Sequence, residues 1–506
     1  MNAPMRHDDY QEGLRLSARG QHAQAIERFE AALARAPNDT RVLFALGNTA
    51  RDLSMGDAAE RFYRQVLTHE PGRLEALINL TNLLRKRGRF DAAQALLAPA
   101  LSQKPESAEL WLTMGSIYRE TGARIQAAEH YRQALGFDSD YAPAMGNLAD
   151  LLADDGHFED ALALYDRVLR LEKHNAQARM NRAVLHLLRG NLKDGWRDYA
   201  ARLEIPGKAP APDHKLERWN GDTLKRQRLL ITAEQGIGDQ IMFASMIPGV
   251  TARASQEGGS LVLECEPRLV TLFERSFPEV TIRAWDAETR GGVTRTRYDW
   301  LKNVGGATRA IEMGSLPRHM RSKIESFPNT NAYLRPDPEE VIRWRSELGA
   351  SVGVGICWRS GKTGGHRSLQ YAPLEAWADF VRDLPATIVC VQYDPTSEEI
   401  SQLEALSRKK IVVPRDIDQK NEIDRACALL ASLDAVVSAP TAVSWLAAAA
   451  GVQTYKILYD TSWTSFGQAY EPFAPACHCA MPRQRGDWKD CFSATAQSLS
   501  SLFSKG

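Results

Sequence analysis

Gly156-His-Phe-Glu-Asp-Ala-Leu-Ala-Leu-Tyr165 holds, in ten residues, the pattern on which the first two hundred are built. A glycine, a small residue five positions on and an aromatic nine positions on recur every 34 residues. Gly20, Gly88, Gly122, Gly156 and Gly190 occupy the nodes, and Ser54 fills the remaining one. Ala25, Ala59, Ala93, Ala127, Ala161 and Gly195 follow at five, then Phe29, Tyr63, Leu97, Tyr131, Tyr165 and Tyr199 at nine. Pro37, Pro71 and Pro105 close the first three units, with Ser139 and Lys173 at the same place in the next two. The small residue lets two antiparallel helices approach, the aromatic fills the gap, and proline cannot continue a helix.

Over about residues 7–205 this pattern resembles the tetratricopeptide repeat (TPR), which implies an α-solenoid of six helical pairs. A second lattice lies on the first helix of each pair. Ala45, Asn79, Thr113, Asn147 and Asn181 fall nine residues before the nodes, and Asn48, Asn82, Ser116 and Asp150 six before. A column of amides lining a solenoid groove can hydrogen-bond the backbone of an extended peptide whatever its side chains. The bland alternative is a set of solvated helix positions with local bonds. The asparagine column is similar to that of the protein O-GlcNAc transferases. It marks Asn48, Asn79, Asn82, Asn147 and Asn181 as candidate acceptor-peptide contacts.

Composition narrows the function classes. Lys plus Arg (63) balances Asp plus Glu (63), so no global field draws the chain to nucleic acid or to an anionic membrane. Seven cysteines, all from Cys265 onward and without framework spacing, fit a reducing compartment. The first residues carry no apolar signal-peptide core, and the apolar stretch 435–452 is broken by Ser438, Pro440 and Ser444. A cytoplasmic protein without membrane insertion is expected.

Past residue 205 the pattern changes. Ile205-Pro-Gly-Lys-Ala-Pro-Ala-Pro-Asp213 reads as a stiff extended connector. Strands are then predicted at 228–233, 260–264, 281–285, 352–358, 387–392, 411–413, 435–438 and 454–458. Helical stretches such as 268–277, 374–384 and 422–433 separate them. Short apolar strands alternating with helices mean parallel sheets with covered faces. A break near 329–337 divides them into two Rossmann-like domains facing across a cleft.

Three motifs invite other readings. Gly236-Ile-Gly-Asp239 is near a dinucleotide fingerprint, with Glu264 or Glu266 to meet a ribose, but the third glycine is absent and Asp239 would repel a pyrophosphate. Gly355-Ile-Cys-Trp-Arg-Ser-Gly-Lys-Thr363 is near a Walker A loop with one residue too many and no helix signal after it. Cys477-His-Cys479 with Cys491 has spacing that closes a tetrahedral metal site poorly. Together these segments suit a group-transfer cleft better. Asp239, at a glycine-rich turn after a strand, can accept a proton from an attacking hydroxyl, or can be an ordinary helix N-cap. Arg359, Lys362 and Arg367 can neutralise a departing phosphate, or can be a solvated loop. Ser438, Thr441 and Ala442 open a helix with free N–H groups and hydroxyls.

The segments Gly236–Phe243, Val354–Trp358, Arg367-Ser-Leu369 and Leu433–Val443 resemble the heptosyltransferase-type GT-B glycosyltransferases, in the version bacterial proteins join to TPR repeats. Gly190–Tyr199 is similar to the unit that precedes the catalytic half in that group. The resemblance implies a TPR α-solenoid (1–205), a linker (206–226), a GT-B acceptor-side domain (227–340) and a nucleotide-sugar domain (341–506). It implies metal-independent, inverting transfer with Asp239 on the acceptor side and donor phosphates near Lys362 and Thr441. No cofactor is expected beyond the nucleotide-sugar co-substrate. The expected acceptor is a protein Ser or Thr, in flagellin or another exported surface protein, with CMP-nonulosonic acids among the donors. Pro440 stands where the family commonly has Asp, and 459–466 replaces a tryptophan-rich segment. These departures leave open a non-catalytic scaffold with a degenerate sugar-nucleotide domain. A transferase acting on a lipid-linked saccharide is the third reading.

Overall fold

The structure, a computed structural model, describes residues 9–205, 211–233, 236–290, 293–330, 332–349, 351–361 and 370–503. The chain divides into two compact units, Met1–Asn175 and Ala176–Gly506.

The first unit is an α-solenoid of helical pairs. They are α1 (Asp9–Ala18) with α2 (His22–Arg35), α3 (Thr40–Asp52) with α4 (Gly56–His69), and α5 (Leu74–Lys86) with α6 (Phe90–Gln103). Next come α7 (Ala108–Glu120) with α8 (Arg124–Phe137), and α9 (Ala142–Asp154) with α10 (Phe158–Leu171). Each lattice node is the left-handed residue that turns one helix into its partner, with φ of 74° at Gly20 and 81° at Gly122. That is the conformation glycine adopts without steric penalty. Ser54 takes it too, at φ 60°. The alanines at five are fully buried, as are Phe29, Tyr63, Leu97 and Tyr131 at nine. The approach is so close that a Cβ at Gly47 would lie 2.6 Å from the Tyr63 ring.

The second unit begins with a sixth helical pair, α11 (Ala176–Leu188) and α12 (Leu192–Tyr199). Then come β1 (Ala211–Pro212), β2 (Glu217–Arg218), β3 (Arg228–Thr232), α13 (Ile237–Ala244), α14 (Ile247–Glu257), β4 (Ser260–Cys265), α15 (Val270–Ser276) and β5 (Thr281–Ala284). The hairpin β6 (Asp286–Arg290) and β7 (Val293–Arg297) precedes β8 (Arg309–Glu312), α16 (Pro317–Met320) and α17 (Pro338–Leu348). The remaining elements are β9 (Gly353–Cys357), α18 (Leu374–Arg382), β10 (Thr387–Cys390), α19 (Ser397–Ser407), β11 (Ile411–Val412), α20 (Ile423–Ala431) and β12 (Ala435–Ser438). They close with α21 (Ala442–Ala449), β13 (Gln453–Ile457), β14 (Tyr470–Glu471), β15 (Ala474–Ala480) and α22 (Trp488–Phe503).

Two sheets dominate. One is parallel throughout, in the order β2-β8-β3-β4-β5. The other runs β11-β10-β9-β12-β13-β15-β14, parallel except for its β14 edge. A small third sheet, β1-β7-β6, ties the end of the proline-rich connector to the hairpin. All eight strands expected from sequence are present, with ends shifted by two residues at most. The additional strand β8 lies on the far side of β3 from β4, so chain order reverses at β3. In the larger sheet it reverses between β9 and β12. Ligands of open α/β sheets bind outside the carboxyl ends of strands at such reversals.

The segment after residue 327 passes from one sheet to the other without being free. Tyr333 and Leu334 N–H groups both donate to Ala449 O at 3.0 Å. The Tyr333 hydroxyl donates to Ile241 O at 2.9 Å. Among the described residues no helix is long and apolar enough to cross a membrane.

Candidate functional site

A cleft of about 620 Å³ opens where α13 and α21 begin. Both helices follow central strands, β3 and β12, and both start at the strands' carboxyl edge. They meet closely: a Cβ added at Gly238 would lie 3.3 Å from Ala442 Cα. Only small residues at 238 and 442 permit that approach, which puts two helix amino termini on one cavity. Such termini present unsatisfied N–H groups and partial positive charge.

Asp239 lies in the first turn of α13, half-buried, on the cleft wall. Gly236 is the N-cap of that helix and offers no side-chain cap. Opposite, Thr441 is the N-cap of α21 and accepts the Val443 N–H at 3.3 Å. Thr441 and Ala442 line the cleft. Ser438 does not: it is fully buried, donates to Ala439 O at 2.7 Å, and lies 3.3 Å from the Thr441 hydroxyl. Its part is to hold the turn that presents Thr441.

Arg359 departs from expectation. Its guanidinium is clamped by Glu399 (2.5 Å and 2.8 Å) and by Asp394 (3.0 Å), and it does not line the cleft. Hydrogen bonding to Glu399, outweighing the burial that opposes charge, holds its pKa above the usual arginine value. The cation expected to face a phosphate instead braces the loop after β9. Gln392 completes that brace, accepting the N–H groups of Trp358 and Arg359 and donating to Asp394. Lys362 and Arg367 lie outside the described residues.

Sequence reading overlooked other cleft residues. Arg268 and Lys420 bring positive charge to one rim, with the Arg268 guanidinium donating to Lys420 O at 2.7 Å and to Glu266 at 2.7 Å. Arg268 follows β4 directly, and a cation at a strand's carboxyl end was the available signal. Trp445 forms part of the wall. Behind it the Lys456 ammonium sits 3.7 Å over the indole and pairs with Glu471 at 2.6 Å, both wholly or nearly buried. Burial opposes the lysine's charge, yet Glu471 outweighs it and raises the pKa.

Glu264, at the end of β4, accepts the Ala233 N–H and the Tyr298 hydroxyl, each at 3.1 Å. Its other oxygen is buried without a partner. Burial pushes this carboxyl up to about 7. It anchors the first peptide of the glycine-rich turn. Cys477 is buried in β15, and among the described residues no cluster of three or more His, Cys, Asp or Glu could hold a metal ion.

In the solenoid the polar column is engaged with itself. Asn48 Oδ1 accepts the Tyr63 hydroxyl at 2.8 Å and Asn79 Nδ2 at 3.0 Å. Ser116 plays the same part for Tyr131 at 3.4 Å and Asn147 at 3.5 Å, and Asp150 for Tyr165. Asn79 and Asn147 thereby tie the third and fifth pairs to the pairs before them. Asn181, in α11, accepts from Gln177 at 2.7 Å, and Asn82 is half-buried.

Tetratricopeptide repeat family patterns match residues 10–73 and 147–212, 50–117, and 108–141. The amino-terminal part of the chain is a TPR array. Protein FlbA of Caulobacter vibrioides is 31% identical over 377 residues, which is 73% of this chain. The chain spans 63% of that relative's length. A thermophilic TPR protein of Thermus thermophilus is 26% identical over 35% of this chain and 97% of its own, with a TM-score of 0.32. A pilF structure from Pseudomonas aeruginosa is 21% identical over 39% of this chain and 91% of its own, with a TM-score of 0.33. The TPR array makes the chain similar to proteins that bind other proteins through stacked helices.

Proposed function

We propose that this chain is a polypeptide O-glycosyltransferase. The two parallel sheets of the second unit would form a GT-B pair, and the TPR array would bind the acceptor protein. The observation that carries the reading is the meeting of two helix amino termini on one cleft, with Asp239 on one helix and Thr441 on the other. A nucleotide-sugar needs this combination: N–H groups and a hydroxyl for its phosphates, and a carboxylate to accept the acceptor's proton. General-base help of that kind contributes about 10²–10⁴ in rate. Lys420 supplies positive charge at the rim, where Arg268 is paired with Glu266, and Trp445 supplies an apolar wall. Flagellin or another exported surface protein, with a Ser or Thr acceptor, is the class that the sequence resemblance suggests.

The test is intact mass of the dominant surface protein from wild-type, deletion and Asp239→Ala cells. Loss of the same sugar-sized mass in both altered strains is the expected result. A mass that changes on deletion but not with Asp239→Ala would remove Asp239 as the base.

A second reading is favoured by one observation. Arg359 is neutralised by Glu399 and Asp394, which takes one cation away from the leaving group. On that reading the second unit binds a sugar nucleotide without turning it over, and the TPR array is a scaffold. Donor binding by the purified chain with no transfer to any acceptor would support it.

A further inference from the structure

The sixth helical pair obeys the TPR lattice, yet its aromatic side chains are used differently from those of the first five. Trp196 is 3% exposed and packs edge-on against Tyr199 (5.5 Å between centroids), Phe466 (5.7 Å), Phe473 (6.2 Å) and Trp463 (6.3 Å). Its indole N–H donates to Arg321 O at 3.0 Å. Tyr199, the lattice aromatic, faces Trp463 at 5.4 Å and Phe243 at 6.4 Å. Phe243 in turn meets Phe473 at 5.5 Å. Phe327, where the chain leaves the first sheet for the second, closes the cluster against Phe466 at 5.4 Å and Phe473 at 5.0 Å. Edge-to-face ring pairs of this kind fix orientation as well as burying area.

The cluster therefore draws on the helical pair, on α13, on the crossing segment, on the turn after β13 and on the turn between β14 and β15. Phe243 stands one helical turn beyond Asp239 on α13, so it is the part of that helix held by the cluster. Backbone contacts support the same joint. Phe466 is held at φ 52°, a conformation that side chains other than glycine avoid. Its carbonyl oxygen lies 3.5 Å from where a Cβ on Gly190 would be, and a Cβ on Gly467 would lie 3.1 Å from Leu188 O. The lattice turn of the sixth pair is thus seated against the strained turn. Arg202, also buried, donates to Ser315 Oγ at 2.8 Å just beyond β8.

We propose that the sixth helical pair is a positioning element of the cleft. Trp196 and Tyr199 hold α13, and with it the Gly236–Asp239 turn, at its close approach to Thr441–Ala442. The pair then belongs to the machinery of the second unit. The structural claim stands by itself, and only its effect on proton transfer at Asp239 rests on the proposed activity.

Hydrogen–deuterium exchange on the full chain without ligand tests it, comparing wild type with Trp196→Ala and Trp196→Phe. The expected result is roughly tenfold faster exchange for the amides of α13 in Trp196→Ala, substantially restored in Trp196→Phe. The amides of α18 and α22, whose buried side chains lie in a separate core, should keep wild-type rates. Wild-type exchange in α13, or equal acceleration across the whole second unit, would overturn the proposal. Should Trp196→Ala fail to fold, Phe243→Leu loosens the joint from the opposite side and must give the same local pattern. In a transfer assay, Trp196→Ala is expected to lower kcat while leaving the donor KM unchanged, with most of kcat restored in Trp196→Phe; a rise in KM with kcat unchanged would count against positioning. If the wild type transfers nothing, the glycosyltransferase reading fails while the exchange result still decides the joint.

Discussion

The first five helical pairs and the sixth follow one 34-residue lattice and reach opposite ends by it. In the five, the residue at position nine (an aromatic in four, Leu97 in the third) lies between its own two helices, and in three of them a tyrosine hydroxyl goes to the polar column of the preceding helix. In the sixth, Tyr199 and its neighbour Trp196 are buried against side chains that arrive 44 to 277 residues later. Repeats that contact only their neighbours make a quasi-one-dimensional stack. A repeat that shares a core with two sheets has become part of a globular fold. A lattice position thus specifies how a residue meets its own pair, and the rest of its surroundings decides whether it stacks or anchors.

The sharpest way to break this comparison is to remove the aromatic from each class. Tyr63→Ala and Trp196→Ala should each cost about 3–5 kcal/mol, the range for deleting a large buried ring. Urea unfolding resolved by exchange mass spectrometry should place the first loss in the solenoid alone and the second in the unit from 176 onward. Equal destabilisation of both units by either variant would erase the distinction.

The next effect is one of pH. Glu264 has its carboxyl raised to about 7 by burial, above an ordinary value of 4.5. The folded state therefore holds that proton more tightly than the unfolded state. The stabilisation is complete at acid pH and is lost as pH rises through about 7. Wild type should lose up to roughly 3 kcal/mol in the second unit between about pH 4.5 and 7.5, and Glu264→Gln should lack that slope. The solenoid's unfolding midpoint is the internal reference, since it does not contain the group. A wild-type slope retained in the glutamine variant would assign the titration elsewhere.

Smaller changes sharpen the account of the stack. Tyr63→Phe removes the hydroxyl that meets Asn48 and should destabilise the solenoid by about 1 kcal/mol, read from its denaturant midpoint. Ser54→Gly should move the same midpoint the other way by roughly 0.5 kcal/mol net, because Ser54 already holds the left-handed conformation that the other nodes give to glycine.

Much of this was legible in the sequence. The nodes, the small residues and the aromatics recur in register, so the solenoid announces itself along a single dimension. A further lattice seven residues before the nodes was overlooked. Gly13, Gly47 and Gly115 mark it where the aromatic ring presses on the opposite helix, but Thr81 and Ala149 interrupt it. The strands of the second unit were visible as apolar runs, whereas β8 is four residues long and carries charge at both ends. The site was read less fully because its partners are distant in sequence. Asp394 and Glu399 lie 35 and 40 residues beyond Arg359, and no spacing rule links them to it. The asparagine column was read as lining the groove for a peptide, and its bonds to Tyr63 and between neighbouring repeats were not foreseen, because periodicity reports a helix face without saying which neighbour meets it. Asp239 and Thr441 were found because each opens a helix just after a strand, a local pattern that sequence does carry.

The division of the chain at Asn175 and Ala176 also bears on how such a protein can be recombined. The proline-rich stretch near 205–213 looks like the natural seam, but an exchange made there would strip Trp196 and Tyr199 from the rings they pack against. An exchange made one repeat earlier leaves that aromatic core whole. Solenoids of different length can then be spliced ahead of residue 176 in steps of 34 residues, changing what is gripped without rebuilding the fold that follows.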